Sequence, residues 1–293
     1  MIERVDNLPV VLTCFAYRSE YFSELEGMLA TAREHHPDWR VVVGRGPIPG
    51  FDLPTLEVES PAGKSHWSLP VALDLEGGED DWRRITRMKG WWISQVWHNF
   101  GGIADSHRNR IVWIDADARL GGPLDIELEP EAEVLAAPWW LDPEYLDNEG
   151  KPIEGVSSGL LLFQGARQGK VETLIDLWSS KCVSEIKDLP PRMLDWHDGD
   201  QELLAEILKT HSNSDAVLLK LENNKYAGYV TKYGVSRPGT LVLHWLMSAR
   251  MWKPENSDEV WPPPEDYRRR VAVESGFPEK SANGRQPNSP GVK

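Results

Sequence analysis

Two short runs of largely β-branched and apolar residues, LPVVLTCFA at 8 to 16 and WRVVVG at 39 to 44, flank a segment where Phe22, Leu25, Met28, Leu29 and Ala32 recur at helical spacing. A strand, an amphipathic helix and a second strand in that order make the unit from which parallel sheets are built. The unit commits the chain to an α/β architecture. Ser19 is placed to cap the helix, and Pro37 marks its exit.

The rest of the chain extends this layout. The stretch from Gly46 to Asp81 is rich in Gly and Pro and reads as connections crossing the sheet edge, with room for a short strand at TLEVE. From Asp81 a helical period returns, with Ile85, Met88, Trp92, Val96 and Phe100 on one stripe. Strand-like runs follow at 110–114, 132–140, 156–165 and 240–245, and helical ones at KVETLIDLWSSKCVSEI and DGDQELLAEILKTH. Together they predict an open, mostly parallel central sheet flanked by helices. One domain over residues 1–275 is expected, with one half to about 120, another from 121 to about 260, and a loosely attached tail at 276–293.

Composition narrows the function classes. With 293 residues, 40% hydrophobic and 27% charged, the chain reads as a soluble globular protein. A net charge of −14 argues against broad electrostatic capture of nucleic acid or of an anionic membrane, though not against a local basic groove. Cys14 and Cys182 lie far apart and form neither a disulfide framework nor a zinc spacing, which fits a reducing, cytoplasmic setting. No run has the length of a membrane span and the start lacks the features of a secretion signal. Fourteen tryptophans cluster in KGWWISQVW, APWW, DWH, LHWLM and RMWKP. Most fill the core; in loops, Trp139, Trp140, Trp196 and His197 are of the kind that line sugar or nucleobase sites.

The run RIVWI at 110–114 is that of a strand buried between helices, and it ends in Asp115 and Asp117 with only Ala116 between them. Side chains two apart on an extended chain point the same way, so continued extension would aim both carboxylates at one spot. Such a pair holds a cation, hydrogen-bonds a ligand, or caps a turn. It stands at the carboxyl end of a central strand, where open α/β sheets place their ligands.

In this setting the layout resembles the GT-A fold of nucleotide-sugar-dependent glycosyltransferases, whose Asp-x-Asp motif holds a divalent metal on the donor diphosphate. The resemblance implies that Asp115, Ala116 and Asp117 meet the donor, with Asp115 and Asp117 as metal ligands and His244, after the apolar run TLVL, completing the site. Carboxylate oxygen and imidazole nitrogen together suit Mn²⁺, whereas Mg²⁺ prefers oxygen. Lys253 and Pro254 resemble the His...Lys-Pro element of glycogenin-like retaining families, although the spacing is longer and the intervening glycine is absent. Ser158 and Gly159 resemble the small-residue strand start that lets a donor sugar approach the backbone. Asp198 and Asp200 resemble the acidic element that positions the sugar, and either also suits a helix cap. Arg84, Arg87 and Lys89 form either a solvated helix face or the cationic partners of a diphosphate, with Lys89 and Arg84 favoured for contact. Thr13 and Ala16 in the first strand and Tyr17 just after it are further candidate donor contacts, Tyr17 by stacking on the base.

The resemblance implies transfer of a sugar from a nucleotide donor, a UDP-sugar first, to a hydroxyl acceptor, with a slight lean to retention. The acceptor stays open among a glycan, a protein side chain, a small molecule and a hydroxymethylated nucleobase, the last disfavoured by the acidic charge. A sugar-phosphate nucleotidyltransferase is the other enzymatic reading, but CFAYRSEYF lacks the glycine-rich loop a triphosphate needs. A non-catalytic nucleotide-sugar-binding module and a nucleotide-sugar hydrolase complete the alternatives.

Overall fold

The structure is a computed structural model that describes residues 10–75, 79–101, 110–124, 134–140, 154–165, 170–189, 199–212, 219–221, 227–231, 234–236 and 242–244. The first unit forms as its sequence predicts. β1 (Val10–Tyr17) and β2 (Arg40–Gly46) pair in parallel around α1 (Phe22–His35). Ser19 does not cap α1: it opens a 3-10 turn, Ser19–Tyr21, and the residue at the cap position is Tyr21, with no side-chain bond.

The region read as sheet-edge connections does hold the strand expected at TLEVE, and a further strand turns it into a hairpin. β3 (Thr55–Ser60) pairs antiparallel with β2, and β4 (Gly63–Ser68) pairs with β3 at the sheet's edge. β4 is exposed along almost its whole length, so GKSHWS carries no apolar alternation by which to recognise it. An edge strand wet on both faces needs none.

α2 (Glu79–Val96) crosses back over the sheet and ends in a π-helical turn, Trp97–Gly101. β5 (Arg110–Ile114) then lies parallel to β1 on the side away from β2. β6 (Ala118–Leu120), β7 (Val134–Trp140), β8 (Glu154–Gln164), α3 (Lys170–Glu185), α4 (Asp200–Ser212), β9 (Leu219–Leu221), β10 (Ala227–Thr231), β11 (Gly234–Ser236) and β12 (Val242–His244) complete the described elements. The large sheet is open and eight-stranded, in the order β4-β3-β2-β1-β5-β8-β7-β9, and β11-β10-β12-β6 form a second sheet of four. Parallel pairing is confined to β2-β1-β5 and β7-β9 in the large sheet; β8 runs antiparallel to both its neighbours.

Thr13 and Phe15 of β1 face α2, where Trp92 is fully buried. The Trp92 indole N–H donates to Thr13 Oγ1 at 2.8 Å, and its ring meets Phe15 at 5.9 Å and Trp67 at 5.1 Å between centroids. A buried indole N–H left unpaired would cost about 1–3 kcal/mol, and the threonine prevents that. The predicted stripe on α2 is buried at Met88, Trp92 and Val96 and partly covered at Ile85 and Phe100. No helix of the described residues is long and apolar enough to cross a membrane.

Candidate functional site

β1 leads to β2 on one side, and its other neighbour is β5, so the sheet reverses direction of growth between β1 and β5. The crevice at the carboxyl ends of those strands is the place where open α/β sheets take ligands. Tyr17 and Arg18 end one strand there, and Asp115 follows the other.

The extended chain stops at Ile114. Asp115 through Ala118 form a turn closed by the Ala118 N–H donating to the Asp115 carbonyl at 3.0 Å, so the two aspartates are set by a turn rather than by strand alternation. The Asp115 N–H donates to the Gly159 carbonyl of β8 at 3.0 Å. β6 starts at once and is tied to α1, with the Leu120 N–H on Thr31 Oγ1 at 3.1 Å and Arg119 on Glu24 at 3.3 Å. These bonds fix the turn from both sides.

Lys89 of α2 reaches into this turn. Its Nζ lies 3.0 Å from Asp115 Oδ1 and 3.1 Å from Asp200 Oδ2, and it donates to Ser158 Oγ at 2.9 Å and the Ser158 carbonyl at 3.2 Å. The Asp200 contact is an ion pair without the alignment of a hydrogen bond. β8 bends to make this possible. Its register with β7 jumps from Ala136↔Leu161 to Ala137↔Ser157, so Ser158, Gly159 and Leu160 bulge out of that ladder where Lys89 arrives.

Two carboxylates thus share one buried ammonium. Burial works against the charge on Lys89, yet Asp115 and Asp200 outweigh it and hold the ammonium above the ordinary lysine value. Asp200 is the more buried carboxylate; burial raises its pKa, Lys89 pulls it down, and Asp115 pushes it up again. Asp200 opens α4, where the Gly199 N–H donates to Glu202 Oε2 at 2.8 Å in half of a capping box. The Asp200 carbonyl accepts the Trp178 indole N–H at 3.0 Å.

Several sequence expectations take a different form. Lys89 was expected on a diphosphate, but its donors are directed at Asp115, Asp200 and Ser158. Thr13 is fully buried and its hydroxyl is taken up by the Val42 carbonyl at 2.8 Å and by Trp92, so it ties the core together. Ala16 is buried beside it in the strand. Tyr17 is only 5% exposed, which leaves no ring face open for a base to stack on. Arg87 does not belong to a solvated face: it is buried, with Nη2 3.4 Å from Glu185 on α3. Arg84 stands apart from Lys89, 4.0 Å from Asp81, which also holds Arg18 at 2.7 Å. Cys14 is fully buried, and burial, followed by Asp115, pushes its thiol well up.

His244 enters through the second sheet. β12 pairs antiparallel with β6, and its register sets the backbone of His244 opposite Ala118, the residue after Asp117. By residue type, two carboxylates and an imidazole are a donor set that Mn²⁺ accepts, and the β6-β12 register brings the backbone of His244 beside the turn that carries the two aspartates. A separate exposed grouping, His98, Glu172 and Asp176, is joined by hydrogen bonds of its own, with His98 Nε2 at 2.8 Å and Ser94 Oγ at 2.9 Å from Asp176. Asp198, Lys253, Trp196, His197 and the predicted tail lie outside the described residues, and Trp139 and Trp140 are described in backbone only.

Two features escaped the sequence reading. Trp113 donates its indole N–H to Asp115 Oδ1 at 2.6 Å, and Lys89 Nζ stands 5.1 Å over its ring. A tryptophan two residues before an aspartate at a strand end is the signal that could reveal it. Arg18 adopts φ 103° and ψ 140°, a backbone region that side chains other than glycine's rarely occupy, at the tip of β1. Nothing in the sequence announces that.

No protein-family model matches the chain, and no curated protein matches it. Among solved structures it is similar to the crystal structure of a glycosyltransferase involved in the glycosylation of the major capsid of PBCV-1, at 11% identity and a TM-score of 0.47, over 83% of this chain and 95% of that one. A likeness of that size carries no argument about activity.

Proposed function

We propose that the chain transfers a sugar from a nucleoside-diphosphate donor, a UDP-sugar first, to a hydroxyl acceptor, with Asp115, Asp117 and His244 holding a divalent ion, Mn²⁺ in preference to Mg²⁺. The observation that carries the reading is the pairing of β6 with β12, which sets His244 opposite Ala118 at the end of the acidic turn. The sheet's reversal point at the same place supports it.

The barrier in such a reaction is departure of a nucleoside diphosphate from the anomeric carbon. A bound divalent ion supplies Lewis-acid stabilisation of the charge on the departing oxygens. The chain's own residues do the rest. Lys89 keeps Asp115 and Asp200 in one fixed array, so neither carboxylate reorganises when the donor arrives. By the resemblance Asp198 orients sugar hydroxyls while Asp200, buried against Lys89, stays within that array, and Ser158 and Gly159 let the ring approach the backbone at the bulge. Lys253 neutralises the diphosphate. The resemblance to glycogenin-like sequences leans the stereochemistry toward retention, in which the leaving phosphate accepts the acceptor's proton.

The test is the melting temperature of the purified protein against UDP, GDP, ADP and their sugars, each with Mn²⁺ and with EDTA. A ligand that binds only the folded state at a hundred times its Kd stabilises by about 2.7 kcal/mol. A rise with one base, lost in EDTA and in D117A, supports the reading. No rise with any of them removes it.

A further inference from the structure

We infer that Trp113 is a positioning residue for Asp115, a role that rests on the donor reading above. Core packing at this point of β5 asks only for a large apolar side chain. The indole N–H is an excess over that demand, and a buried N–H requires an acceptor. It finds one in Asp115 Oδ1 at 2.6 Å, two residues on, where the strand gives way to the turn.

The donor is itself immobile. Trp113 is 2% exposed and meets Phe15 edge-on at 5.6 Å between centroids. Its opposite obligation is to Lys89, whose ammonium lies 5.1 Å over the ring and 3.0 Å from the same Oδ1. Asp115 stands on a turn and its side chain is 22% exposed, so backbone bonds alone would leave its carboxylate several rotamers. Two donors converging on one oxygen from a rigid wall select a single orientation. Trp92 gives the contrast within the same core: its indole N–H goes to Thr13, a residue with no place in the acidic turn.

The experiment is W113F, which keeps an aromatic ring and removes the N–H. Binding of UDP, GDP and ADP with Mn²⁺ is measured by calorimetry beside the melting temperature in EDTA, and kcat and KM are measured for the corresponding sugar donor. The expected result is about a ten-fold loss of affinity for the metal–nucleotide complex, the scale of one charge-assisted hydrogen bond, with KM for the donor rising in step. A lowered melting temperature with unchanged affinity and unchanged KM overturns the inference and leaves Trp113 a core residue. A wild-type protein that binds none of the three complexes overturns the donor reading, and the inference with it. If W113F folds poorly, ¹⁵N-tryptophan labelling of the unmodified sequence answers the question: one indole resonance among the fourteen tryptophans shifts in D115N and broadens with Mn²⁺. Absence of such a resonance overturns it equally.

Discussion

Lys89 of α2 and Asp200 of α4 stand 3.1 Å apart, both buried, and Asp115 takes the other side of the same ammonium at 3.0 Å. Removing the cation leaves two carboxylates facing one another in a place with little water. K89M is expected to lose about 3 kcal/mol of stability, the scale of a broken buried pair. The double variant K89M/D200N is expected to recover most of it, because the amide ends the repulsion. Urea midpoints of the two variants measure this; a double variant as unstable as the single one would show that Lys89 acts through packing alone.

The same ammonium gives stability a dependence on alkaline pH. Its folded pKa is raised, so its contribution is complete below the unfolded lysine value of about 10.4 and is lost as pH rises through the higher folded value. Between those limits the unfolded chain has released a proton that the folded chain still holds. Stability therefore falls by about 1.4 kcal/mol per pH unit from this residue. Denaturant midpoints between pH 9 and 11 are expected to fall more steeply for the wild type than for K89M. Parallel slopes would contradict the assignment.

Asp200 works in the opposite pH range. Its raised pKa means that the folded chain takes up a proton before the unfolded chain does, so this carboxylate favours folding below the unfolded value of about 3.9 and that gain is lost as pH rises through its folded value. Removing the titration in D200N is expected to steepen acid denaturation relative to the wild type, read as the midpoint of tryptophan fluorescence loss on acidification. A shallower acid transition in D200N would mean that Lys89 dominates Asp200 and holds its pKa down.

Much of the layout could be read from residues alone, and the failures share a cause. β1, α1, β2, α2, β5, α3 and α4 each carry a buried face, and burial writes a period into the sequence. β4 carries none, since GKSHWS is an exposed edge, and the three-residue strands β6, β9, β11 and β12 are too short to show one. In the site, Asp115, Lys89, Ser158 and Asp200 were each visible as residue types. Their convergence depends on a bulge in β8 and on how α2 lies across the sheet, and neither is encoded in local spacing. Thr13 misled for a related reason: a polar residue in a strand that leads to a site looks like a ligand contact until its indole partner is seen.

Gly44 on β2 shows how little slack the core beside the site contains. A Cβ there would lie 2.8 Å from the Trp92 ring, which is fully buried and held by Thr13, Phe15 and Trp67. A rigid ring has no flexible end to give way. G44A is expected to cost about 2 kcal/mol, although alanine ordinarily suits a strand interior better than glycine. Thermal unfolding checks it, and a neutral effect would mean that Trp92 moves more freely than its contacts imply.

Metal preference separates His244 from a core histidine. Its backbone is placed opposite Ala118 by the β6-β12 ladder, and Asp117 precedes Ala118 directly. An imidazole in that corner selects Mn²⁺ over the harder Mg²⁺, whereas a packing histidine selects neither. H244A is expected to raise the Mn²⁺ concentration needed for half-maximal donor binding by about ten-fold or more, since even partners one shell beyond a metal are worth that much. The Mg²⁺ requirement is expected to change far less, because carboxylate oxygens carry that ion. Titrating donor binding with each metal in wild type and H244A reads the two effects separately. Equal shifts for both ions would mean that the substitution loosens β12, and through it the acidic turn, without removing a ligand.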